Sequence, residues 1–161
     1  MRFYCRDVAR PTIPPSPIRC YNHKEIYGEV TQLDNGWLDI RLNALLPNCR
    51  MIGGTQYIFD TITRLLDGYR DKGGILQRYD KAYMALVEHC PMERTGTFDN
   101  DNKGFRGVIN ALKGRMFKDD NQFELALGMF TVLDEDICCH IYVLPFDEAG
   151  DFHYQMSSKM L

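Results

Sequence analysis

Between Thr97 and Phe123 the chain reads TFDNDNKGFRGVINALKGRMFKDDNQF. One pair of carboxylates, Asp99 and Asp101, precedes a helix-like segment, and a second, Asp119 and Asp120, follows it. Side chains two residues apart point the same way on extended backbone, so Asp99 and Asp101 can converge on one ion. Mg2+ takes hard oxygen ligands, typically one or two carboxylates completed by water and substrate phosphate. A third carboxylate makes room for two ions that clamp the attacking and leaving oxygens of an in-line phosphoryl displacement. Asp99, Asp101 and Asp120 have the chemistry for such a site.

Three blander readings compete. The run DNDNKG matches the start of a calcium-binding loop, D-x-D-x-x-G. It fails at loop position 5, which is Lys103, and at position 12, which is Asn110 where a bidentate glutamate belongs. Helix capping accounts for Asp101. It does not account for Asp119 and Asp120, which precede a strand. The third reading is that the carboxylates only keep loops solvated.

The elements that must position these groups follow from periodicity. EIYGEVTQLDNGWLDIRLNAL (Glu25 to Leu45) predicts a hairpin with a type I′ turn at Asn35-Gly36. Trp37, Asp39 and Arg41 alternate with Leu38, Ile40 and Leu42, as in a half-buried strand. Thr55 to Gly74 predicts a helix with Thr55 as N-cap. Lys81 to Cys90 predicts a strand. Phe105, Val108, Ile109, Leu112 and Met116 form one apolar stripe, so Lys103 to about Arg115 is an amphipathic helix capped by Asp101 or Asn102. QFELALGMFTVL and DICCHIYVLP predict two strands around the turn DED, and the tail from Phe146 carries weak signals. The expectation is an α+β domain, a mixed β-sheet with two helices packed on one face, in the order β-β-α-β-α-β-β.

Composition bounds the alternatives. With 161 residues, 45% hydrophobic and 25% charged, the chain suits one soluble globular domain, read here as 25–161. Residues 1–24 read as a Pro-rich basic arm: RPTIPPSP holds four of the seven prolines, and Arg2, Arg6, Arg10 and Arg19 outnumber Asp7. No apolar run has the length of a membrane helix and the first ten residues lack a signal peptide's apolar core, which predicts a cytoplasmic protein with no membrane partner. Six scattered cysteines with no C-x-x-C read as reduced thiols. Cys138-Cys139-His140 and His89-Cys90 invite zinc, but paired ligand spacing is missing and adjacent strand residues face opposite ways, so the reading goes against zinc. His23 and His153 read as ordinary surface or core residues. A formal charge of −3 speaks mildly against nucleic acid. Two bound Mg2+ ions would reverse its sign, and Lys103, Arg106, Lys113, Arg115 and Lys118 cluster around the acidic segment.

The acidic segment resembles the RusA family of Holliday-junction resolvases. That family carries D-x-D-N, a helix with an Ala-Leu core pair, then D-D-x-Q. This chain has Asp99-Asn100-Asp101-Asn102, Ala111-Leu112 and Asp119-Asp120-Asn121-Gln122. The likeness is specific over about 97–123 and extends loosely from the strand near 37 to the final pair of strands. It implies a Mg2+-dependent endonuclease, with Mn2+ able to substitute, that cuts branched or four-way DNA as a homodimer and is often of phage or prophage origin. Asp99, Asp101 and Asp120 would be the metal ligands and Asp119 an auxiliary carboxylate. The family's functional helix lysine falls on Phe105, flanked by Lys103 and Arg106 as the substitutes for an electrostatic role. A non-catalytic DNA- or protein-binding member of the fold is the alternative.

Overall fold

Among the described residues, five strands form one mixed sheet and three helices cover both of its faces. The computed structural model describes residues 25–48, 53–91, 100 and 103–160. The arm at 1–24 and the pair Asp99 and Asp101 lie outside them. The elements are β1 (Gly28–Gln32), β2 (Leu38–Leu42), α1 (Gly54–Asp71), β3 (Ala82–Cys90), α2 (Phe105–Leu112), β4 (Leu125–Leu133), β5 (Cys138–Pro145) and α3 (Ala149–Met160), with a 3-10 turn at Phe146–Glu148. The α+β class and the order β-β-α-β-α-β-β agree with expectation, and α3 is added at the end.

Alternation builds β2 as predicted. Leu38, Ile40 and Leu42 are buried toward α1 and α2, while Asp39 and Arg41 lie on the opposite face. The hairpin turn differs from the predicted type I′. Gly36 N–H bonds Leu33 C=O at 2.8 Å, Leu33 N–H bonds Trp37 C=O at 2.8 Å, and Gly36 has φ 89°. This is a longer loop, a turn followed by a left-handed glycine, and it uses glycine once where type I′ needs positive φ at both central residues.

The sheet order is β1-β2-β5-β3-β4. Only β3 and β4 run parallel, joined by the crossover through α2. The two last strands are therefore not neighbours: β5 inserts between β2 and β3, antiparallel to both. The turn from β4 to β5 crosses the C-terminal end of β3, where Asp134 N–H bonds Cys90 C=O at 3.1 Å.

On one face, Ile58, Ile62 and Leu66 of α1 and Val108, Ile109 and Leu112 of α2 pack on Ile40, Met84, Leu86 and Ile141. The predicted stripe of α2 is correct, with Phe105 half-buried at its first position and Met116 buried beyond its C-terminal end, which comes at Leu112 and not near Arg115. Both predicted caps are not. The N-cap of α1 is Gly53 and that of α2 is Gly104, neither with a side-chain cap bond. Gly104 N–H bonds Pro47 C=O at 2.7 Å, so a backbone contact to the preceding loop replaces the expected carboxylate or amide. On the other face, Phe152 and Met156 of α3 cover Trp37, Tyr83, Val87 and Leu144, and Trp37 Nε1–H donates to Glu148 Oε2 at 2.5 Å.

The helices α1 and α2 meet closely at Gly107, where an added Cβ would lie 2.4 Å from the Thr55 carbonyl oxygen. Backbone cannot swing aside as a side chain can. Gly107→Ala is therefore expected to lower stability by about 1–3 kcal/mol, seen as an earlier urea midpoint with an unchanged slope.

Candidate functional site

The acidic segment follows α2 directly. At the helix end Lys113 N–H bonds Ile109 C=O, and Gly114 N–H bonds Phe117 C=O at 2.7 Å, closing a tight turn. The turn brings Asp119 and Asp120 under the Lys113 ammonium, at 2.5 Å and 2.7 Å. Asp119 also receives Asn121 Nδ2–H at 3.3 Å and the Asp120 N–H at 2.9 Å. Carboxylate oxygens are the hard donors that Mg2+ takes, and here the Lys113 ammonium occupies both, so an ion bound at this pair would have to displace it.

Lys113 holds the Asp119 carboxyl well below the usual aspartate range, with the Asn121 amide and the Asp120 N–H as lesser causes, and the Lys113 ammonium is raised in turn. A depressed carboxyl stabilises the fold fully above its unfolded value, about 3.9, and that contribution fades as pH falls toward the folded value. The pair is exposed, so the effect on global stability is small. Lys113→Ala is expected to move the Asp119 midpoint upward toward the ordinary range, read by carboxyl NMR titration. An unmoved midpoint would show that Lys113 is not the cause.

At the other end of α2, Lys103 points back to β3. Its ammonium pairs with Glu88, whose other oxygen accepts Leu46 N–H at 3.1 Å. The two side chains are 15% and 5% exposed, so this ion pair sits inside the helix-covered face. Arg106, in the first turn of α2, is exposed. The helix has eight residues and spans about 12 Å. The tight turn at Lys113 keeps Asp120 at the far end of that span from Lys103. Asp99 and Asp101, next to Lys103 in sequence, lie outside the described residues.

A second group of chemical residues collects on the α3 face, at the C-terminal end of β3. Register sets His89 of β3 opposite Cys138 of β5, and His140 follows two residues on, on the same face. One potential ligand atom from each of His89, Cys138 and His140 lies within 4.8 Å of the others. Each imidazole is oriented by a carboxylate: His89 Nδ1 meets Asp134 Oδ2 at 2.9 Å, and His140 Nδ1 meets both oxygens of Asp39 at 3.0 Å. His89 holds the Asp134 carboxyl below its ordinary value. Tyr142 stacks on the His140 ring at 5.6 Å with planes 8° apart. Burial pushes the Cys138 thiol up, and Arg41 beside it pulls the other way.

No protein-family model, no curated protein and no solved structure matches this chain. Function therefore has to be argued from these groups themselves.

The rule that adjacent strand residues face opposite ways does separate Cys138 from Cys139, which is buried against Ile141 on the helix-covered face. The same rule puts Cys138 and His140 together, a consequence the sequence reading did not draw. The third member, His89, is 49 residues upstream of Cys138 and could be found only by knowing that β5 lies beside β3. His153 is not an isolated residue: its Nε2 lies 2.9 Å from the Tyr83 hydroxyl under α3.

Proposed function

We propose that the chain is a Mg2+-dependent, structure-selective endonuclease of the RusA type that cuts branched DNA as a homodimer. The observation that supports it most is the Asp119–Asp120 pair sharing one cation at the end of a β3–α2–β4 crossover whose other end carries the Asp99–Asp101 motif. When bound, Mg2+ would supply electrostatic stabilisation of the charge that develops as water displaces a phosphodiester oxygen. Asp99, Asp101 and Asp120 are the carboxylates that would hold it, and Asp119 with Lys113 holds Asp120 in place. Arg106 faces solvent and is placed to bind a backbone phosphate. Lys103 has its charge engaged by Glu88, so its part is to fix the start of α2 against β3.

Asp120 sits beyond one end of α2, and Asp99 and Asp101 precede its other end in sequence. We infer a shared site, because the helix spans about 12 Å between the two ends and one chain need not bring them together. Two chains related by a two-fold axis would, each supplying the end the other lacks. Edge strand β4, with Leu127 and Leu133 exposed on it, offers apolar surface for that pairing.

The direct assay is a labelled four-way junction and its linear duplex control, with Mg2+, Mn2+ or EDTA. The expected result is nicking of the junction with either metal and none in EDTA. A junction that stays intact with both metals at micromolar protein would overturn the activity. Retardation without cutting would favour the second reading, a non-catalytic DNA-binding member, which the engagement of Lys103 by Glu88 and the apolar packing of Phe105 favour. Among the described residues no helix is long and apolar enough to cross a membrane.

A further inference from the structure

The structure assigns a second, softer metal site to this chain: His89, Cys138 and His140 form a His2Cys centre for a zinc-class divalent ion, separate from the acidic segment. Two imidazoles and a thiolate are a borderline donor set that selects Zn2+ over Mg2+, which wants oxygen. The donors come from adjacent strands at fixed register, so their approach is set by the sheet and not by loop conformation.

The surroundings are those a zinc site uses. Asp134 and Asp39 each engage the Nδ1 of one histidine. That holds the ring proton at Nδ1 and leaves Nε2 with the lone pair a metal needs, the carboxylate–histidine pairing that raises ligand basicity. Asp134 also accepts the Asp136 N–H at 3.2 Å with its other oxygen, which fixes it in the turn, and Asp39 stands on a strand whose neighbouring positions are core leucine and isoleucine. The thiol of Cys138 is buried while the two histidine side chains are 20% and 17% exposed. The fourth position therefore opens toward solvent, where water completes a tetrahedron.

Bond lengths near 2.0–2.3 Å put tetrahedral ligands about 3.5 Å apart. The three atoms here span up to 4.8 Å. Small adjustments of the two imidazoles together with the carboxylates that hold them would close that gap.

The location gives the site a consequence. His89 lies two residues before Pro91, where the chain leaves β3 for the segment that carries Asp99 and Asp101. Asp134 belongs to the turn that crosses the same strand end. A bound ion ties β3, β5 and that turn together at the point where the chain leaves β3.

The test uses the full chain, stripped with chelator under reducing conditions and titrated with Zn2+, and with Co2+ as a spectroscopic probe of the same site. Wild type should bind one tight equivalent, show thiolate-to-cobalt charge transfer, and melt several degrees higher with Zn2+. Cys138→Ser should lose the charge-transfer band. Asp134→Ala, which removes no ligand, should weaken binding about 10- to 100-fold while keeping the band at saturation. Cys90→Ser and Asp120→Asn should change neither. A cobalt spectrum without thiolate character, the same affinity in Cys138→Ser, or no binding at micromolar metal would each overturn the site. Because Asp120→Asn is predicted to leave Zn2+ binding intact, failure here is distinguishable from failure of the nuclease reading.

Discussion

Asp120→Asn protein is expected to fold normally and to lose junction cleavage on the order of 10²–10³-fold, the scale of removing one preorganised electrostatic contact to a transition state. The fold is spared because Asp120 is exposed and Lys113 keeps Asp119 as a partner. The amide cannot replace a carboxylate as a hard anionic ligand, so raising Mg2+ should recover little of the rate. Circular dichroism and melting establish the first half, and single-turnover cleavage of a labelled four-way junction the second. A rate within about threefold of wild type would remove Asp120 from the metal site and leave its carboxylate as a surface ion pair of little energetic consequence.

The largest effect on stability is expected at Glu88. Glu88→Ala strands the Lys103 ammonium in a mostly buried position and leaves the Leu46 N–H without its acceptor. Breaking one side of a buried pair costs about 3–5 kcal/mol, and the 15% exposure of Lys103 puts this case near the lower end, about 3 kcal/mol. The double replacement Glu88→Leu with Lys103→Met removes both charges and should recover much of the loss, because the desolvation penalty goes with them. Urea unfolding of the wild type, Glu88→Ala and the double replacement makes the comparison. If Glu88→Ala is as stable as wild type, the pair is solvated in solution and Lys103 regains a role at the phosphate.

Local periodicity made much of the fold legible. The alternation in β2, the apolar stripe of α2 and the face of α1 were readable because each records one-sided burial over a short span. Pairing was not. DED between two apolar runs looks like a hairpin turn, yet β5 finds its partner in β3, which is nearly fifty residues earlier in the chain. The helix α3 was missed because only Phe152 and Met156 of its described side chains are deeply buried, too few to set a period. It is held by the Trp37, Tyr83 and Phe130 rings it covers, not by its own pattern. The α2 cap failed for a related reason: the Gly104 N–H donates to the Pro47 carbonyl of the preceding loop, a backbone contact that local preference does not reveal.

The candidate site divides in the same way. Asp119 and Asp120 stood out as a sequence motif, and the structure shows them held by Lys113. Lys103 and Arg106 looked interchangeable, three residues apart in sequence. They differ because Lys103 lies opposite Glu88, a carboxylate that appears in an otherwise apolar strand and needs a partner there. His89, Cys138 and His140 become neighbours only once register is known.

In the proposed homodimer the active site would combine Asp101 of one chain with Asp120 of another. The most direct measurement uses differently tagged Asp101→Asn and Asp120→Asn chains, co-expressed and purified as the heterodimer. Each mutant homodimer should be inactive. The heterodimer should regain one intact site and nick the four-way junction in Mg2+, because one of its two composite sites receives both native carboxylates. A heterodimer as inactive as its parents, beside an active wild type, would contradict a site shared between chains.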